Sequence, residues 1–271
     1  MRKNRISLLF SFLCLFSLNA IQAQQAWEAG AWLGVSHYFG ELNPSYNLTR
    51  PGFSGGVTAR YLFNNRLSFK SSLNYAFISG TDEDSSNPFE LARNLHFRSN
   101  IFDLSNQFEF NFLPYVHGTR EYFSPYLFAG LSIFHYNPQA QLGKKWYNLR
   151  EYGTEGQILG EEYLSYGIGL LYGAGIKWDI NYRLSINLEV GARLVPTDYL
   201  DDISTVYPNR GEVQSLRGDI GVALSNPSTV PGFGSQGTQR GNSTDNDSYM
   251  TTGISIMYYF GQLKCPPIMR Y

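Results

Sequence analysis

Apolar and polar side chains alternate one by one along residues 171–195. Tyr172, Ala174, Ile176 and Trp178, then Leu184, Ile186, Leu188, Val190, Ala192 and Leu194, fall on one face. Gly173, Gly175, Lys177 and Asp179, then Arg183, Ser185, Asn187, Glu189, Gly191 and Arg193, fall on the other. A period of two predicts strands, and the break at Ile180, Asn181 and Tyr182 makes them a hairpin. The same signature recurs at 27–38, 53–63, 66–78, 97–113 and 249–260, with Ser71 and Asn106 as the polar exceptions on otherwise apolar faces. Residues 122–136 are apolar on both faces, so the pattern does not orient that strand. Eight strands are predicted, with no convincing helix.

The connections alternate in length. Those at 64–65, 114–120 and 180–182 are short, and those at about 40–52, 79–96, 137–162 and 196–248 are long. A soluble Greek key gives no reason for this. A transmembrane barrel does, with short periplasmic turns, long external loops and an even strand number. The fold class expected is therefore all-β, an eight-stranded antiparallel transmembrane barrel of the OmpA/OmpX kind. Hydrocarbon offers no hydrogen-bond partner, so the sheet must close, with its apolar face toward lipid. The inward face then carries Arg60, Lys70, Lys177, Arg183 and Arg193 against Glu28, Asp103, Glu109, Asp179 and Glu189. These charges balance. An eight-stranded lumen is only wide enough for side chains to fill it, so an ion-paired plug without an open pore is expected. Tyr and Phe near strand ends, as at Tyr258, Tyr259 and Phe260, suit aromatic belts at the membrane interfaces.

The chain ends refine the picture. Basic residues at 1–5, an apolar run at 6–16 and small residues before Gln24 read as a secretory leader over residues 1–23. Cys14 lies within it behind Leu13, a poor setting for lipid attachment. The barrel then spans 24–260, and residues 261–271 form a tail on the periplasmic side. Cys265 would be the single cysteine of the exported chain, which excludes an intrachain disulfide. Two readings of the tail stand side by side: a disordered stub, or a handle for a periplasmic partner using Lys264, Cys265 and Arg270. A formal net charge of −1 argues against nucleic acid as a partner.

Candidate chemistry is sparse. His37, His96 and His135 sit near external strand ends with Ser36, Ser79 and Ser99 at similar levels. No motif or spacing joins them into a hydrolytic triad or a metal site. Asp198, Asp201 and Asp202 in "TDYLDD" lack the spacing of a dedicated calcium loop and read as a solvated strand end. No catalytic residue, cofactor, metal or small-molecule substrate is therefore expected, and outer-membrane lipid is the expected surrounding. Residues 225–248, rich in Gly, Ser, Asn and Thr, read as mobile external loop.

Several stretches carry a family likeness: "EAGAWLGVSHYFGELNP" (28–44), "RYLFNNRLSFKSSLNYAFISG" (60–80), "RNLHFRSNIFDLSNQFEFNFLPY" (93–115), "FSPYLFAGLSIFHYNPQAQ" (123–141) and "PTDYLDDISTVY" (196–207). As an ordered set they resemble the PorG family of Bacteroidetes outer-membrane barrels, across nearly the whole exported chain apart from 225–248. The resemblance implies a non-enzymatic component of the type IX protein secretion system, associated with a periplasmic PorK/PorN ring that it anchors or positions. The competing reading is a free-standing OmpA/OmpX-like barrel that serves envelope integrity or surface adhesion through its long loops. An outer-membrane lipid hydrolase is a more remote third.

Overall fold

The alternating segments pair into a closed ladder. A computed structural model of the chain describes residues 26–262; the expected leader with Cys14, and the expected tail with Lys264, Cys265 and Arg270, lie outside the described residues. The barrel strands are β1 (Ala26–Phe39), β2 (Gly52–Leu62), β3 (Leu67–Thr81), β4 (His96–Asn111) and β5 (Phe123–His135), followed by β8 (Tyr166–Asp179), β9 (Leu184–Leu194) and β10 (Ser248–Tyr259). Each pairs antiparallel with the next, and β10 returns to β1 with Glu28 opposite Tyr259 and Phe39 opposite Ser248. Closure pairs every barrel strand on both sides, the condition for crossing hydrocarbon. β6 (Pro138–Leu142) and β7 (Lys145–Asn148) form a separate hairpin that docks on the start of β4, Arg98 opposite Gln139.

Two of the short turns share one device. "FNNRLS" (63–68) and "INYRLS" (180–185) have the same Asn, Arg, Leu and Ser spacing. Asn64 Oδ1 accepts from the Arg66 and Leu67 amides at 2.8 Å each, and Asn181 Oδ1 from those of Arg183 and Leu184 at 2.9 Å each. An Asn side chain that mimics a backbone turn fixes the register of both hairpins. Each arginine reaches the neighbouring strand end: Arg66 donates to the Phe112 carbonyl at 2.6 Å and Arg183 to that of Tyr259 at 3.4 Å.

The outer surface is apolar: Leu33, Val57, Leu73, Phe108, Leu131 and Ile254 are all exposed. The two exceptions, Ser71 and Asn106, prove to be direct cross-strand partners. β5 is oriented by its neighbour. Leu127, Leu131 and Ile133 point outward, while Tyr126 and Phe128 fill the lumen. Glycines on β8 make the room, because a Cβ on Gly173 would come within 2.4 Å of the Phe128 ring and 2.1 Å of the Val190 carbonyl oxygen. A Cβ on Gly175 would meet Tyr126 at 2.6 Å. Large rings opposite glycines keep the lumen filled where both faces of a strand are apolar. At the short-turn end outward-facing aromatics, exposed or half-buried, cluster in pairs, Trp27 with Tyr61, Phe123 with Trp178 and Tyr258 with Phe260.

At the long-loop end the inward face changes from polar to apolar. Ile78, Phe97, Ile101 and Phe134 join Leu42, Leu95, Leu149, Leu200, Ile203 and Leu224 in one buried core that ties the long connections to the barrel. The long connections therefore carry structure that the alternation did not predict. α1 (Pro88–Arg93) is capped by Asn87, which accepts from the Phe89 amide at 3.0 Å. α2 (Arg210–Ser225) is interrupted at Gly218, where φ is 73°. Short 3₁₀ turns occupy Asp82–Asp84 and Leu149–Tyr152. Residues 226–247 hold no helix or strand, as their composition predicts, but they are anchored: Arg240 is 1 % exposed and bonds the Asp202 carbonyl at 2.5 Å.

Replacing Gly173 with Val forces Phe128 and the β9 backbone apart. Unfolding in urea from lipid vesicles should show a loss of about 1–3 kcal/mol; unchanged stability would mean that the lumen is looser than described.

Candidate functional site

Strand alternation brings the predicted lumen residues onto the inner wall, and pairing across the barrel joins them. Arg60 lies at the centre, its Nη1 2.5 Å from Glu28 and its Nε 2.8 Å from Glu109. Glu109 also takes Lys177 at 2.7 Å and Lys70 at 3.6 Å. Lys70 further pairs with Glu189, which accepts from the Tyr126 hydroxyl at 2.7 Å. One level toward the long loops, Arg193 meets Asp103 at 2.6 Å, and Asp103 accepts from Asn74 and from Tyr249. Arg60, Glu28, Glu109 and Lys177 are each at most 1 % exposed. Buried charges of this kind persist only when paired and hydrogen-bonded. The gap between the two levels, lined by Trp32, Lys70, Gln107, Glu189 and Arg193 among others, holds about 30 Å³. That is room for a water or two and too little for a solute path.

Arg183 departs from the expectation. It is exposed at the β8–β9 turn and makes no ion pair with the lumen acids among the described residues. The reason is its place: it ends a strand and serves the turn as Arg66 does, so its head reaches water instead of the lumen. Its charge is replaced by a residue the alternation could not reveal, His117. The 114–120 turn folds under the barrel and inserts this side chain, with Nε2 2.6 Å from Glu28 and Nδ1 3.0 Å from Asp179. The Tyr115 hydroxyl donates to the same aspartate. Burial pulls the imidazole pKa down, but the hydrogen bonds it donates to Asp179 and Glu28 and their charges outweigh it and raise the value to about 9. Protonated His117 thus restores the charge balance that Arg183 does not supply. A turn histidine flanked by Tyr115 and Gly118 gives no periodic signal; the aspartate and glutamate facing the short-turn end were the readable hint.

The rim residues serve the cap and strand ends. Ser36 donates to the Phe77 carbonyl at 2.6 Å, and Ser99 accepts from the Asn137 amide at 3.1 Å. His96 Nε2 accepts from the Gln141 amide at 3.0 Å and packs near Trp146, while the His135 ring lies 4.7 Å from that of Tyr166. His37 is buried on β1. Among the described residues none of these histidines belongs to a group of side chains close enough to share a metal.

The "TDYLDD" aspartates, read above as a solvated strand end, are instead buried. Asp202 is held by Thr154, by Tyr163 at 2.7 Å and by nearby Arg240, which itself meets Glu155 at 2.8 Å. Asp198 and Asp201 come together with Glu41 and Asp247 from the other end of the loop. Burial, then the charge of Asp198, push Glu41 up to about 8. Burial, with Asp201 adding to it, pushes Asp198 up to about 7.

The sequence profile of a family described as a domain of unknown function, DUF6089, matches residues 6–226. The chain belongs to the DUF6089 family. The DUF6089 match ends ahead of β10 and of the anchored segment that precedes it. No curated protein matches the chain. Among solved structures, this DUF6089 chain is similar to Neisserial surface protein A, at 12% identity and a TM-score of 0.44, with 86% of this chain and 97% of that one covered. It is also similar to the outer membrane protein OprG from Pseudomonas aeruginosa, at 10% identity and a TM-score of 0.42, with 89% and 100% covered.

Two outcomes follow from the lumen. Replacing Arg60 with Met leaves Glu28 and Glu109 short of a partner, and a urea titration in vesicles should register a loss of about 3–5 kcal/mol. For His117, the folded value lies above the unfolded 6.5, so its contribution, on the order of 3 kcal/mol, is complete below about pH 6.5 and is lost as pH rises through about 9. Unfolding midpoints across that range should therefore fall more steeply in the natural protein than in His117→Gln, and parallel curves would remove His117 from the ion-paired site.

Proposed function

We propose that this protein is a non-enzymatic outer-membrane component of the type IX protein secretion machinery, one that anchors or positions a periplasmic ring of the PorK/PorN kind. The observation that carries the mechanism is the sealed lumen. A barrel whose inner wall is cross-linked through Arg60, Glu109, Lys177 and Lys70 offers no path for cargo, so it acts by holding and binding. A rigid barrel is a firm membrane anchor, and its short turns present a surface that a ring on the periplasmic side would meet. The secretion assignment is supported by the ordered sequence resemblance to the PorG family. Lys264, Cys265 and Arg270 are the tail residues assigned to ring contact in this reading.

One observation favours a second reading. The long connections are packed into a cap by a shared apolar core, and a built surface suits a free-standing barrel that meets partners outside the cell. Gene deletion separates the two. Under the first reading, secretion of type IX cargo stops and ring proteins no longer co-purify with the outer membrane; under the second, both persist. Mild detergent extraction of the tagged protein should recover ring proteins, and removal of residues 261–271 should reduce that recovery by about tenfold, equivalent to roughly 1.4 kcal/mol. Recovery of the barrel alone from the intact protein would count against the ring.

A further inference from the structure

We propose that Glu41, Asp198, Asp201 and Asp247 form a binding site for a hard divalent cation of the calcium class, at the base of the cap on the long-loop side. This goes beyond the anchoring role and does not depend on it. The residues come from three places in sequence: the start of the β1–β2 connection, the start of the β9–β10 connection and its last position before β10. Register brings them together, because β1 and β10 are neighbours with Tyr38 opposite Tyr249. Carboxylate oxygens of Glu41, Asp201 and Asp247 lie within 4.8 Å of one another. Oxygens that share one Ca²⁺ at its usual bond length lie no more than about 5 Å apart.

Asp198 points to a ligand independently of that clustering. Its side chain is 7 % exposed, and neither of its oxygens meets a well-aligned donor; the polar side chains beside it are the Ser204 hydroxyl and the Glu41 carboxyl. Glu41 Oε2 is likewise without a partner. Among the described residues none of the four carboxylates joins an ion pair with Lys or Arg: Arg93 is taken by Asp82, and Arg240 by Glu155 and Asp202. The donors that reach the group position it without neutralising it. Tyr38 Oη lies 2.6 Å from Asp201 and 2.8 Å from Asp247, and the Ile203, Leu200 and Asn242 amides bond Asp201, Asp247 and Glu41. Hydrogen bonds of this type to ligating carboxylates fix their aim. Gly40 is required there, since a Cβ would fall 2.0 Å from Asp247 Oδ1. An all-oxygen, strongly anionic donor set without thiolate or imidazole selects calcium or magnesium over zinc and copper. Of the four, Glu41 lines a neighbouring cleft of about 700 Å³, which offers a way in from solvent.

Calorimetric titration of full-length protein in detergent micelles, stripped with EDTA and then given CaCl₂ at neutral pH, tests the site. Saturable one-site binding is expected, with a dissociation constant of about 10⁻³ M or tighter, and MgCl₂ should bind more weakly because it demands a stricter octahedral geometry. The double variant Glu41→Gln/Asp198→Asn should weaken calcium binding at least about tenfold while keeping the heat-resistant migration of a folded barrel. Glu162→Gln, at an acid that meets Arg217 and the Gly160 amide and none of the four ligands, should leave it unchanged. Absence of saturable binding by the natural protein up to roughly 10 mM CaCl₂ overturns the proposal, well above the range of extracellular calcium modules. So does an affinity that the folded double variant retains. The titration of the natural protein decides by itself if that variant fails to fold.

Discussion

The fold depends on where its charges can go. A sheet that crosses hydrocarbon must close, because an unpaired backbone group costs several kcal/mol there. Closing eight strands leaves a lumen only side-chain wide. Charged residues at alternate positions are then forced inward and toward one another, and each must find a partner. Arg60 between Glu28 and Glu109 is the result, and the neighbouring Lys70, Lys177 and Glu189 extend it. Ion pairing here is what makes a polar interior compatible with a closed wall. It also makes the barrel a solid object, which suits anchoring better than passage.

The molecule has two interiors with opposite chemistry. Within the membrane-crossing part the inside is ionic and the outside apolar. Toward the long loops the inside becomes apolar, as Ile78, Phe97, Ile101 and Phe134 show, and a cap packs onto it in the manner of a soluble domain. The acidic group around Asp198 and Asp201 sits within this second region. Its carboxylates are raised in pKa by burial and mutual repulsion, as Glu41 and Asp198 illustrate. The lumen balances its charges within the chain, whereas this group does not.

Much of the barrel was legible in the sequence, since a period of two leaves little freedom about which side chains share a wall. The barrel strands, the short-long alternation of their connections and the inward residues other than Arg183 follow from it. What escaped had specific causes. β5 could not be oriented because its lumen side carries rings, made admissible by Gly173 and Gly175 on β8. His117 escaped because a turn carries no period, and Arg183 misled because a strand-end residue can leave the lumen for water. The first helix did announce itself locally, as Asn87 followed by Pro88 and, at the third helical position, Glu90, a capping pattern that strand alternation gives no reason to seek. The second helix, with Gly211, Gly218 and Gly221, has a composition that argues against helix. The burial of Asp198 and Asp201 depends on contacts with residues far away along the chain, which spacing within "TDYLDD" does not encode.

Adjacent positions on β5 give the most direct test of the account. Spin labels at Leu131 and Ser132, in protein reconstituted into lipid vesicles, can be probed by collision with oxygen dissolved in the bilayer and with a water-soluble nickel chelate. Leu131 should collide with oxygen as an acyl-chain-facing site does, and Ser132 should be shielded from both reagents. Reversed accessibility, or a Ser132 label freely reached by the chelate, would contradict a sealed barrel with its charges inside.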